Sequence, residues 1–195
     1  MLEKFPSEKL DHLKSPQMIP WWRTNFGKEE ELAVAKSIRD EHLGQGPVVK
    51  EFEERLAEYL GVPYVVTTTS GSISLLMSLM AIGIQRDDEV IIPNRTWIAT
   101  AHAPLLLGVK VKLVDVENDR PIINVAKIEE AVTPRTKAII PVHMNGRSAN
   151  MPAIREIANK YSIRVIEDAA QALGSRNQDG FLGTQSDMGC FSLSV

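Results

Sequence analysis

An α/β domain with a mostly parallel sheet is predicted by three features of the sequence. Short β-rich runs alternate with helical segments about every 25 residues, the grammar of crossover units. The runs are nearly continuous in apolar residues, as strands buried on both faces require. Small or polar residues able to meet a ligand stand directly after several of them, where open α/β sheets present their carboxyl ends.

In chain order, residues 1–27 carry mixed charges without a sustained period and read as an N-terminal arm, and 28–195 as a three-layer domain. Helical spacing runs from Lys28 to about His42 and again from Val48 to Leu60, where Phe52, Leu56, Tyr59 and Leu60 share a face and Gly61 is placed to stop the helix. Strands are expected at Tyr64–Thr68, Glu89–Ile92, Lys110–Val114, Ala138–Val142 and Ile163–Ile166. Helices are expected between most of them, at Ser70–Ile84, Trp97–Leu107, Val125–Val132 and Pro152–Tyr161. The last seven residues, from Gly189 to Val195, read as a strand met in mid-pattern, which predicts the N-terminal part of a longer protein.

Composition narrows the function classes. A chain of 195 residues with 44% hydrophobic content and a net charge of −3 can bury one large core. Its longest apolar run, around Leu75 to Ile84, is interrupted by Ser78 and Gly83 and falls short of the roughly 20 residues that span a bilayer. Glu3, Lys4, Glu8 and Lys9 leave no apolar signal segment at the start. Interspersed charges without a basic block argue against nucleic acid as a partner. One cysteine, Cys190, excludes an internal disulfide framework and leads to the expectation of a cytoplasmic protein. No metal site is expected, because His102 and His143 are far apart and Cys190 lies in no ligand pattern.

Four segments can carry chemistry. Ser70-Gly71-Ser72 opens a helix, where free N–H groups, the dipole and hydroxyls suit a phosphate; the alternative is that Ser70 is only an N-cap. Trp97, after the strand ending at Ile92, can stack on a planar heterocycle or serve as a core or interface aromatic. Asp168, at the end of a buried strand, can hold a proton on a pyridine nitrogen or cap the next helix. Glu167 should point away from it because strand side chains alternate, and Gln171 stands about one turn further on. His143, at another strand end, is either a catalytic group or a hydrogen-bonded packing residue, and Arg147 beyond it reads as a loop residue.

Taken together these segments closely resemble the DegT/DnrJ/EryC1 family of pyridoxal-phosphate sugar aminotransferases. The matches run in order through Gln45-Gly46-Pro47, Ser70-Gly71-Ser72, Thr96-Trp97-Ile98-Ala99-Thr100-Ala101, Thr133-Pro134-Arg135-Thr136-Lys137, Pro141-Val142-His143, Glu167-Asp168-Ala169-Ala170-Gln171 and Gly189-Cys190-Phe191-Ser192. The resemblance implies the large domain of the type I aminotransferase fold, with pyridoxal 5'-phosphate as cofactor. It implies Ser70, Gly71, Ser72 and Ser192 near the phosphate, Trp97 over the ring, Asp168 on the ring nitrogen and Gln171 near the ring hydroxyl. Ser72 replaces the family's usual Thr with the hydroxyl kept, and Asn145 stands where many members have an aromatic. The family's Schiff-base lysine would follow Ser192 by a few positions and is not present in residues 1–195.

The expected activity is transfer of an amino group from an amino acid, with glutamate the expected donor, to a nucleotide-linked keto sugar in amino-sugar or cell-surface polysaccharide synthesis. Two alternatives are a lysine-free sugar 3-dehydratase of the same family and a noncatalytic cofactor-binding or interaction module. The resemblance further implies a homodimer, to which Trp21 and Trp22 of the arm could contribute. Residues 1–195 alone are expected to be catalytically inactive and poorly soluble, since the final strand would expose an unpaired edge.

Overall fold

The computed structural model describes residues 25–194, so Trp21 and Trp22 lie outside the described residues. The chain divides into one unit running to Leu43 and a second from Gly44 to Ser194. In the first, helix α1 spans Lys28–Arg39, with Glu30 accepting from the Gly27 N–H at its start and Lys36 and Arg39 in its last turn. It stops short of His42 because Glu41 adopts a left-handed φ of 59°.

The second unit opens with α2 (Pro47–Leu60), which Gly61 ends as predicted, in the left-handed region with a φ of 68°. The elements that follow are α3 (Gly71–Ala81), β1 (Glu89–Pro93), α4 (Ala99–Leu106), β2 (Lys110–Val114), α5 (Val125–Ala131), β3 (Thr136–Ile139), α6 (Met151–Tyr161) and β4 (Arg164–Asp168). A small pair, β5 (Arg176–Asn177) and β6 (Gly180–Phe181), precedes β7 (Met188–Cys190). The main sheet has five strands in the order β2-β1-β3-β4-β7, every neighbouring pair parallel.

Two apolar layers cover it. Ile91, Ile139 and Val165 face α5 and α6 together with Ile128, Ile154 and Ile157. Val90, Ile92, Ala138, Ile140 and Ile166 face α3 and α4 with Leu75, Leu79 and Ala103. The period-two alternation of β4 therefore sends Glu167 to the side of Val165 and Asp168 to the side of Ile166.

Three expectations need correction. The strand read from Gly189 onward begins at Met188 and ends at Cys190, and residues 191–194 are not strand. Tyr64–Thr68 forms no strand: Tyr64 is 86% and Val66 70% exposed, and the Thr67 N–H bonds to Glu53 Oε1 at 2.7 Å. β propensity cannot form a ladder without a partner strand, and no described strand pairs with this segment. The strand read at Ala138–Val142 is shifted to Thr136–Ile139; beyond it Pro141 offers no N–H, and only an isolated bridge from Val142 to Asp168 continues the pairing. The β5–β6 pair was not foreseen, although Asp179-Gly180 is a turn signal and the Arg176 guanidinium lies 4.1 Å from the Phe181 ring.

Candidate active site at the carboxyl ends of the strands

The strand order fixes where a ligand can sit. From β1 the chain moves outward to β2, then returns across β1 to place β3, β4 and β7 on the other side. The crevice at such a reversal, outside the carboxyl ends, is where open parallel sheets bind ligands. The segments after β1, β3 and β7 hold Trp97, His143 and Ser192, and Asp168 is the last residue of β4.

One end of the crevice suits an anion. Ser70 does cap α3, its Oγ accepting the Ile73 N–H at 3.3 Å, so the capping alternative is correct as far as it goes. Capping leaves the N–H groups of Gly71 and Ser72 without a partner among the described residues. Gly71 is required by contact rather than by φ: a Cβ there would lie 3.1 Å from Ser192 Cβ and 3.3 Å from the Phe191 carbonyl oxygen. Its absence lets the positive end of an 11-residue helix press against the segment after β7, where the Ser192 hydroxyl joins the free N–H groups.

The other end suits a cation. Asp168 is only 5% exposed, yet among the described residues it receives just two hydrogen bonds, from Thr100 Oγ1 to Oδ2 at 2.7 Å and from the Ala170 N–H to Oδ1 at 3.2 Å. Thr96 Oγ1 lies 2.8 Å from Thr100 Oγ1, and because the Thr100 proton points to Asp168, Thr96 donates. Burial pushes the Asp168 carboxyl above its usual range, and the bonds from Thr100 and Ala170 do not offset it. An underprovided buried carboxylate is what a cationic N–H would satisfy.

Its neighbour is the opposite case. Glu167, fully buried, accepts four hydrogen bonds: His143 Nε2 at 2.8 Å, Gly183 N–H at 2.8 Å, Gln185 N–H at 2.7 Å and Ser186 Oγ at 2.8 Å. Burial pushes its carboxyl up, but the bonds from His143, Gly183 and Ser186 outweigh that and hold it below the usual range. Of two adjacent buried carboxylates, one is saturated within the protein and one is left open.

The remaining candidates separate clearly. Trp97 is 74% exposed, at the turn whose carbonyl receives the Thr100 N–H, so it is not a core residue. Gln171 is exposed; its Oε1 accepts the Asn145 N–H at 2.8 Å, which leaves the amide NH2 to donate outward. Asn145 achieves this from the left-handed region, with a φ of 54°. His143 is fully buried, and its Nδ1 accepts the Ala149 N–H at 3.1 Å while Nε2 faces Glu167. With both ring nitrogens engaged it stands behind the site, an arrangement that fits the packing alternative. Thr100 is the contact that sequence reasoning missed, although two threonines four positions apart just after a buried strand were a usable signal.

The described domain is similar to Spr1654 of Streptococcus pneumoniae, described as a sugar aminotransferase and solved in apo, PLP and PMP forms, at 27% identity and a TM-score of 0.87. The match covers 90% of this chain and 48% of the apo form. DesV of S. venezuelae is 36% identical with a TM-score of 0.74, covering 79% of this chain and 43% of that one. The E. coli GDP-4-keto-6-deoxy-D-mannose-3-dehydratase, with bound hydrated PLP, is 28% identical with a TM-score of 0.83, covering 88% and 46%. This chain thus spans about half the length of the solved structures it matches. The model of the DegT/DnrJ/EryC1/StrS aminotransferase family matches residues 24–194, and the chain belongs to that family.

Proposed function

We propose that the crevice holds pyridoxal 5'-phosphate and that the protein's reaction is transfer of an amino group from an amino acid, glutamate first among those to test, to a nucleotide-linked keto sugar. The observation that carries this reading is Asp168, a buried carboxylate with two donors and no counter-charge among the described residues, at the same end of the sheet as the segment after β7 on which the free N–H groups of α3 pack. A phosphate at one end and a basic ring nitrogen at the other match this donor set. Pyridoxal phosphate supplies, when bound, an electron sink for negative charge at the substrate carbon.

The chain's own residues would do the rest. The Gly71 and Ser72 N–H groups, with the Ser72 and Ser192 hydroxyls, bind the phosphate. Asp168 holds a proton at the ring nitrogen, Trp97 covers a ring face and the Gln171 amide donates to the ring hydroxyl oxygen. Thr100 keeps the Asp168 carboxylate turned as it is found.

A second reading, a sugar 3-dehydratase of the same family, is favoured by the comparable similarity to the E. coli dehydratase. The two are separated by the sugar formed when glutamate and a nucleotide-linked keto sugar are supplied to the protein: amino transfer leaves the nitrogen on an amino sugar, whereas the dehydratase reaction releases it as ammonia and leaves a deoxy keto sugar. The cofactor reading itself is tested by titrating the chain with pyridoxal phosphate and with pyridoxal. Saturable binding that depends on the phosphate supports it; no binding of either overturns it.

A further inference from the structure

The buried Glu167–His143 pair has no place in the chemistry above, yet it costs the fold a fully buried carboxylate. Its connections show what it joins. Oε2 receives His143, in the turn after β3, and Gly183; Oε1 receives Gln185 and Ser186, in the turn that leads into β7. The His143 proton is fixed on Nε2, because Nδ1 accepts from the Ala149 N–H. The backbone joins the same segments along both edges of β4. The His143 N–H donates to the Asp168 carbonyl at 3.0 Å, the Asp168 N–H to that of Pro141 at 2.9 Å and the Ala169 N–H to that of Cys190 at 2.8 Å. Gly183 and Gly189 are in direct backbone contact, a Cβ on Gly189 falling 1.8 Å from the Gly183 oxygen.

Resting on the proposed cofactor site, we infer that Glu167 and His143 are positioning residues: they lock the ends of β3, β4 and β7 together and so fix the separation of Asp168 from Ser192. A ligand that uses both ends of the crevice gains from that fixed separation, whereas one that uses a single end does not. Neither side chain reaches the ligand. The clamp acts from the opposite face of β4.

Two probes distinguish this from a general structural role: pyridoxal phosphate, which spans the crevice, and inorganic phosphate, which occupies only the α3 end. Measured on folded protein well below its melting temperature, Glu167→Gln is expected to weaken pyridoxal phosphate binding about tenfold while phosphate affinity stays within about twofold. Should Glu167→Gln not fold, His143→Leu, which removes the Nε2 donor, is expected to show the same split, and His143→Gln, which restores an N–H toward Glu167, to recover binding. Unchanged pyridoxal phosphate affinity in folded variants, or an equal loss for both probes, overturns the positioning role. If the unmodified chain binds phosphate but not pyridoxal phosphate, the cofactor reading has failed, and the clamp with it.

Discussion

Replacing each of the two neighbouring carboxylates by its amide is expected to move stability in opposite directions. In Asp168→Asn, the amide oxygen can keep the Ala170 N–H while the NH2 group donates to Thr100 Oγ1, whose own proton turns to Thr96 Oγ1. No backbone N–H is orphaned, only the Thr96 hydroxyl proton and the second amide hydrogen lacking an acceptor, and a buried charge without a counter-charge among the described residues is gone. Relief of about 1 kcal/mol, a rise in Tm of about 2–4 °C, is expected at neutral pH without ligand. In Glu167→Gln no orientation works. An NH2 at the Oε1 position meets the Gln185 N–H; at the Oε2 position it meets the Gly183 N–H and a histidine whose tautomer is fixed. An orphaned backbone donor and weaker bonds to a neutral acceptor cost about 2–3 kcal/mol, a fall of about 5–10 °C.

The pH dependence carries the same sign. Glu167, with its folded pKa lowered, contributes stability present above the ordinary carboxyl range and lost as pH falls through the folded value. Asp168, raised by burial, opposes folding above its folded pKa and ceases to do so as pH falls. The advantage of Asp168→Asn should therefore shrink in acid. Circular-dichroism melts of the three proteins at several pH values test this. A loss of stability in Asp168→Asn at neutral pH, or none in Glu167→Gln, would refute the reasoning.

Other outcomes follow from single contacts. Gly71→Ala, which must push α3 from Ser192 Cβ and the Phe191 carbonyl, should weaken phosphate and pyridoxal phosphate binding about tenfold while costing only about 1–2 kcal/mol of stability, measured by titration and urea unfolding. Gly189→Ala has no room against the Gly183 backbone and should cost about 3 kcal/mol or more, visible as a low melting temperature or insoluble expression. Cys190, 2% exposed and with its thiol pushed up by burial, should react with a thiol reagent only as fast as the chain unfolds; rapid labelling of the folded protein would contradict its placement.

Where local physics and burial agreed, the fold was legible. Gly61 stops α2, Lys110–Val114 is a strand with the expected bounds, and Glu167 and Asp168 separate onto opposite faces as period-two alternation requires. Tyr64–Thr68 has the composition of a strand but no strand partner among the described residues, a fact about the rest of the sheet that its own residues do not encode. The candidate site was legible where one residue announces one interaction, as with Ser70-Gly71-Ser72 before a helix. It was illegible where partners meet only in space: Thr100 and Asp168 are 68 positions apart, and the donors of Glu167 come from His143 and the 183–186 turn. His143 could be read either way until both its nitrogens were accounted for.

The central claim is that Asp168 holds a proton on the ring nitrogen of a bound cofactor. The most direct test is the 15N chemical shift of ring-labelled pyridoxal phosphate bound to the chain and to Asp168→Asn, at a pH where the free ring nitrogen is unprotonated. A protonated nitrogen in the unmodified chain and an unprotonated one in Asp168→Asn is the predicted result; the same protonation state in both would contradict it.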